Sequence, residues 1–121
     1  MTDDLITFDT LMTRLEIVLR ERAPLHAVYG PGGTFDHTRK ILLASCRDAH
    51  RLTKLGNNEK VTEALLDDLG HADADYVAFV ETATAQRTTL ALLDAEATLL
   101  EHRLSYLKAK TYENAQLARM Q

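Results

Sequence analysis

Apolar side chains recur at alternating steps of four and three residues through the second half of the chain, and this repeat constrains the fold more than any other feature. The repeat begins at Leu65 and ends at Ala118 without a phase error. Thirteen of its sixteen positions are apolar, and the exceptions are Gln86, Thr111 and Asn114. A period of 3.5 residues keeps one edge of a helix against a neighbour, as in coiled coils. We therefore predict one very long helix with an extended apolar edge.

Proline, glycine and asparagine mark the predicted boundaries of the other helices. The residue before Pro24 is disfavoured in a helix, so the first helix is expected to end there. The segment 24–34 holds both prolines and three of the five glycines, and it is expected to be a loop. Gly56 and the two asparagines that follow favour a helix end, with Thr34 and Asn58 as candidate N-caps. The predicted helices span about 4–22, 36–55, 59–69 and 72–118, and Gly70 leaves open whether the last two are fused.

These elements predict an all-α fold: a helical bundle, in a single domain, with one very long C-terminal helix and two shorter helices packed on it. The long helix would extend on the order of 70 Å, and each shorter one about 30 Å. Because the short helices cannot cover a helix twice their length, we expect a homo-oligomer. The residues assigned to the oligomer seam are Leu90, Leu93, Leu100, Leu104 and Leu107. A second apolar line lies beside that seam at Ala78, Ala85, Leu92, Leu99 and Tyr106.

Hydropathy and cysteine content indicate where such a chain would reside. No apolar run approaches the roughly 18 residues that a transmembrane helix requires, so no membrane association is expected. The acidic start at Asp3 and Asp4 is unlike the basic start of a secretory signal. The single cysteine, Cys46, has no second thiol for a disulfide or a zinc site. A reducing, cytoplasmic setting is the expectation.

Charge is unevenly distributed along the chain. Residues 1–22, 23–60, 61–101 and 102–121 carry net charges of -2, +3, -8 and +3, which together give the formal net charge of -4. A basic stripe on the second helix, expected to point away from the core, consists of Lys40, Arg47, Arg51 and Lys54. This stripe could bind nucleic-acid phosphates, could pair with the acidic segment of its own chain or of a neighbour, or could be a solvated surface.

Metal and phosphate chemistry find little support in the residue spacing. Asp68 and His71, three residues apart, could share a metal with neighbouring aspartates, but helical metal sites usually draw ligands from more than one helix. The run from Gly30 to Thr34 precedes a helix N-terminus but lacks the Gly-Lys-Ser/Thr pattern of a phosphate-binding loop. We predict neither a cofactor nor a metal.

The segment from Ala49 to Gly56 resembles the histidine phosphotransfer family, all-helical bundles in which an exposed histidine receives a phosphoryl group. The resemblance covers about eight residues around His50, and Lys54 lies four residues after this histidine where the family has three. His37 has the family's spacing to Lys40 but is followed by Ile41 instead of glycine. The resemblance implies a phosphotransfer module as a remote alternative.

The prediction that best fits the whole pattern is a protein that is not an enzyme. An extended association seam without a catalytic pair favours an oligomeric helical scaffold, adaptor or assembly factor acting through protein–protein contacts. The alternative is an accessory factor that binds single-stranded nucleic acid or a nucleoprotein through the basic stripe, with oligomerisation multiplying a weak site.

Overall fold

The protein is all-α, as the sequence predicts. The computed structural model describes residues 2–120, with side chains from Thr7 onward. This part of the chain forms four helices and no strand: α1 (Thr2–Tyr29), α2 (Phe35–Gly56), α3 (Glu63–Ala72) and α4 (Ala74–Met120). The 47-residue α4 confirms the long C-terminal helix. No helix in the described range has an apolar stretch long enough to cross a bilayer.

The chain forms two compact units, and α1 and α4 contribute to both. The terminal unit contains the residues through Leu25 together with those from Thr89 onward, and the central unit is His26–Thr88. In the terminal unit, Val18 of α1 is fully buried against Leu93, Ala97 and Leu100 of α4. The apolar edge of α4 in this unit is therefore covered by α1 of the same chain.

The central unit buries one side of α2 against α3 and the start of α4. Its buried side chains include Cys46 on α2, Leu66 on α3 and Tyr76 on α4. An aromatic group closes the end nearest the α1–α2 loop, where the Phe35 ring stacks on Phe79 with centroids 5.6 Å apart. The Arg87 guanidinium lies 4.1 Å from the centroid of the Phe35 ring, a cation–π contact.

The predicted end of the first helix near residue 22 is wrong, because α1 continues through Pro24 to Tyr29. A proline inside a helix removes one backbone hydrogen bond and costs about 3 kcal/mol, so other contacts must hold the turns beyond it. Within the central unit, the Tyr29 ring lies 5.4 Å from the Phe35 ring, and its hydroxyl donates to Gln86. The predicted loop at 24–34 shortens to residues 30–34.

Two predicted N-caps also differ from the structure. The Thr34 side chain makes no capping hydrogen bond, although α2 begins directly after it. Asn58 adopts a left-handed backbone with φ 56° after α2, as expected for a helix end, but it does not begin the next helix. Residues 59–62 intervene, and the Thr62 hydroxyl accepts a hydrogen bond from the Leu65 amide at 3.1 Å to cap α3.

The junction between α3 and α4 lies at Asp73, whereas Gly70 is inside α3. Asp73 has an extended backbone, and its carboxylate accepts a hydrogen bond from the Asp75 amide at 2.9 Å, which caps α4. Packing explains why residue 70 is a glycine inside a helix, because a Cβ at this position would lie 2.8 Å from Cγ of Arg47 on α2. The apolar repeat of the sequence is thus divided between two helices at Asp73.

Candidate interaction surfaces

Arg47 of the predicted basic stripe lies between α2 and α3 instead of pointing into solvent. Its guanidinium forms ion pairs with Glu63, through Nη2, and with Asp67, through Nη1 at 3.1 Å. Its Nε atom is buried without a hydrogen-bond partner among the described residues. Since its side chain packs against Gly70, the expectation that the stripe points away from the core is wrong for Arg47.

The rest of the stripe is largely paired as well. Arg51 lies 3.3 Å from Glu63, and Lys54 Nζ donates to Glu59 at 2.6 Å. Lys40 is exposed and has no carboxylate within ion-pair distance in the described part of the chain. Of the three interpretations of the stripe, pairing with acidic residues of its own chain is the one that the contacts of Arg47, Arg51 and Lys54 support.

The side of α2 that carries Ile41, Leu52 and Leu55 is in solvent. Leu52 and Leu55 are 72% and 56% exposed, and Ile41 on the same side is 57% exposed. Cys46 instead faces Asp73 at the junction before α4, and Arg47 faces α3. Asp48 interrupts the exposed apolar positions, so this side is not a continuous apolar surface.

The five leucines assigned to an oligomer seam lie inside the single chain. Leu90, Leu93, Leu100 and Leu104 are each no more than 8% exposed, and Leu107 is half-buried. The sequence predicts a second chain because helices of about 30 Å cannot cover α4, but α1 has 28 residues and is longer than predicted. The seam leucines therefore build the core of one molecule.

The second apolar line of the sequence is exposed where it crosses the terminal unit. Within the terminal unit, Leu92, Leu99 and Tyr106 are 68%, 51% and 67% exposed. Steps of seven residues place them on one side of the helix over about 20 Å, with the exposed Ala95 between the first two. We call Leu92, Ala95, Leu99 and Tyr106 the α4 outer face.

An open groove of about 430 Å³ adjoins the Tyr106 end of the α4 outer face. It lies between α1 and α4 of the terminal unit, and its lining is mainly apolar. The lining residues are Thr7, Leu11, His102, Arg103, Tyr106 and Leu107. An apolar groove beside exposed apolar side chains can accept a further side chain from a partner.

Two charged residues lie along the edge of the α4 outer face that is nearer to α1. Glu96 accepts two hydrogen bonds from Arg14, at 2.6 and 3.0 Å, and these bonds lower the pKa of the Glu96 carboxyl. Arg103, seven residues further along the same edge, has no carboxylate partner among the residues that the structure describes. This edge therefore presents one acidic and one unpaired basic group.

His50 and Cys46 meet Asp73 in the central unit. His50 Nε2 lies 2.9 Å from the Asp73 carboxylate, which also receives a hydrogen bond from the Cys46 thiol. The hydrogen bond from the Asp75 amide, and then those from His50 and Cys46, lower the pKa of Asp73. Burial, and then the Asp73 charge, raise the pKa of Cys46, so the thiol stays protonated and is a poor nucleophile at neutral pH.

The other candidate sites do not assemble into recognisable geometry. The described residues contain no group of three or more histidine, cysteine or acidic side chains arranged to hold a metal ion. Asp67 is bound by Arg47, and its backbone carbonyl lies 2.7 Å from His71 Nδ1. Of the two histidines in the phosphotransfer comparison, His37 is exposed and His50 is half-buried against Asp73.

Comparisons with protein-family models, with curated proteins and with solved structures found no match to this chain. The candidate sites therefore stand on geometry alone. Sequence patterns located the α4 outer face as a second apolar line, but they did not distinguish it from the line that α1 covers. Between Leu92 and Tyr106 the apolar positions of α4 occupy a wider arc of the helix surface than contact with a single helix requires. This width is the signal that could have distinguished the two lines.

Proposed function

We propose that this protein is a non-enzymatic helical scaffold or adaptor that associates with copies of itself through the α4 outer face. The observation that carries this proposal is the row of three large apolar side chains, Leu92, Leu99 and Tyr106, each more than half exposed on one side of a helix. Apolar side chains scattered singly are common on protein surfaces, but several large ones aligned on one side of a helix favour an interaction site.

The expected gain from covering this row is substantial. Each square ångström of apolar surface removed from water contributes about 25 cal/mol, and a fully buried aromatic side chain can cover 150–250 Å² or so. When two copies meet through the same row, the gain is counted twice. No segment of the described chain covers the row, so this surface is free to bind a second copy.

The ionisable side chains support a role without catalysis. The arginines of α2 are held by carboxylates of the same unit, and the buried thiol of Cys46 is kept protonated. The nucleic-acid alternative would require Arg47 and Arg51 to exchange Glu63 for a phosphate, so we retain it only as an outcome to be tested. An unpaired thiol fits a reducing, cytoplasmic setting.

Light scattering after size-exclusion chromatography, over a range of protein concentrations, tests the proposal. We expect the wild-type mass to exceed the 13.6 kDa of one chain and Leu99→Glu to lower it to that value. Ala115→Glu is the matched control, since it adds the same charge to an exposed position of the same helix, on the side away from the outer face. A wild-type monomer at every concentration would refute self-association.

Binding to a labelled single-stranded oligonucleotide at low and moderate salt tests the alternative. If the protein binds and Arg47→Glu with Arg51→Glu abolishes binding, the nucleic-acid function gains the support that it now lacks. Binding that is absent, or unchanged in the double variant, removes it.

A further inference from the structure

We infer that the α4 outer face binds a second copy of itself in an antiparallel, two-fold arrangement centred near Leu99, with Glu96 of each copy paired to Arg103 of the other. This inference rests on the proposed function and adds to it the orientation, the register and the number of subunits. It uses residues of the terminal unit alone.

The apolar residues are compatible with a two-fold axis at Leu99. Such an axis places Leu92 of one copy opposite Tyr106 of the other, because both lie seven residues from the centre. Leu99 then meets its own counterpart. A parallel pairing also matches apolar residues with apolar residues, so the apolar pattern by itself does not select the direction.

The charged edge selects the direction. In an antiparallel helix pair each edge of one helix meets the same edge of its partner. Glu96 lies three residues before the centre and Arg103 four residues after it. Each Glu96 therefore faces the Arg103 of the other copy, which gives two ion pairs. In a parallel pair the charged edge would meet the opposite edge, where Ala91, Thr98 and Ser105 carry no charge. Arg103 has no carboxylate partner among the described residues, and only the antiparallel pairing brings one to it, with Glu96 then shared between Arg14 and Arg103.

The uneven distribution of charge in the sequence favours the same direction. Within the terminal unit, residues 89–98 of α4 carry a net charge of -2 and residues 100–120 carry +2. Antiparallel association brings acidic positions before the centre near basic positions after it, whereas parallel association brings like charges to the same level. Complementary charges of this kind favour one orientation over the other.

The groove beside Tyr106 adds an independent observation. In the antiparallel arrangement the residue opposite Tyr106 is Leu92 of the second copy, and the groove is lined there by the apolar Leu11 and Leu107. The 68% exposed Leu92 thus has an apolar groove to enter on each partner.

The symmetry sets the number of subunits. In a two-fold contact both copies use the same surface, so no copy of that surface remains free and assembly stops at two chains. We therefore expect a closed dimer whose mass does not increase further with concentration.

Charge reversal tests the ion pairs. Arg103→Glu and Glu96→Lys should each weaken self-association about tenfold or more, because each places like charges together at two symmetric sites. Mixing the two variants should restore association, since both sites of the mixed dimer then hold opposite charges. Circular dichroism of each variant checks folding, which matters for Glu96→Lys because Glu96 also binds Arg14. A mixture that associates no better than either variant alone contradicts the pairing.

Disulfide cross-linking in a Cys46→Ala background tests the direction. We expect Leu99→Cys to cross-link with itself, and Leu92→Cys to cross-link with Tyr106→Cys in preference to itself. A Leu92→Cys chain that links to itself equally well indicates a parallel contact and overturns this inference while leaving self-association intact. A mass above two chains overturns the closed dimer, whereas a wild-type monomer overturns the proposed function as well.

Discussion

Leu99 and Leu100 are adjacent in sequence but lie in opposite environments, and replacing each by alanine gives the most direct test of how α4 is oriented. Leu100 is 5% exposed and belongs to the cluster with Val18, Leu93 and Ala97. Leu99 is 51% exposed on the α4 outer face. The two substitutions remove the same atoms from the same helix, so any difference in effect comes from environment.

The structure sets the magnitude of each effect. Replacing a buried leucine by alanine removes its transfer free energy and leaves a cavity, together about 2–5 kcal/mol. Such a loss is a large share of the 5–15 kcal/mol or so by which a domain is usually stable. For Leu99→Ala we expect less than about 1 kcal/mol, because half of that side chain is already in water.

Urea denaturation followed by far-ultraviolet circular dichroism measures both losses, at concentrations low enough to keep the chains apart. Leu100→Ala should move the midpoint strongly at every concentration. Leu99→Ala should leave the monomer's midpoint nearly unchanged and weaken self-association instead. Equal losses for the two variants, or a larger one for Leu99→Ala, would refute the assignment of Leu100 to the core and of Leu99 to the surface.

Two further predictions concern the central unit. Gly33→Ala should destabilise the protein by more than about 1 kcal/mol, because the added Cβ would clash with the carbonyl oxygen of Val28. Gly56→Ala, with nothing within 4 Å of the added atom, should stabilise α2 by up to about 1 kcal/mol. Thermal unfolding of both variants checks this, and similar shifts would contradict it. Because the fold lowers the pKa of Asp73, the charge of this carboxylate adds stability that is complete above the ordinary aspartate pKa. That stability is lost as the pH falls through the lowered pKa. Asp73→Asn should therefore make the free energy of unfolding less dependent on pH in the acid range, and an unchanged dependence would remove that role.

The helices illustrate which signals are local. The ends of α2 and α4 lie within two residues of their predicted positions, since glycine and asparagine at Gly56–Asn58 and the uninterrupted repeat act through short-range backbone preferences. Pro24 shows the limit of that reasoning, because the turns beyond it are held by contacts of Tyr29 with residues far away in the sequence. The same holds for Arg47, whose position depends on carboxylates that α3 brings to it.

The repeat of apolar residues determined that α4 would be long and that one of its edges would avoid water. It did not determine what would cover that edge, because the hydrophobic effect has no direction and is satisfied equally by the same chain or by another. Only the tertiary structure decided that α1 covers Leu93 and Leu100 and leaves Leu92, Leu99 and Tyr106 exposed. The physical reason is that periodicity records which side chains share a face, whereas their burial depends on where the other helices pack.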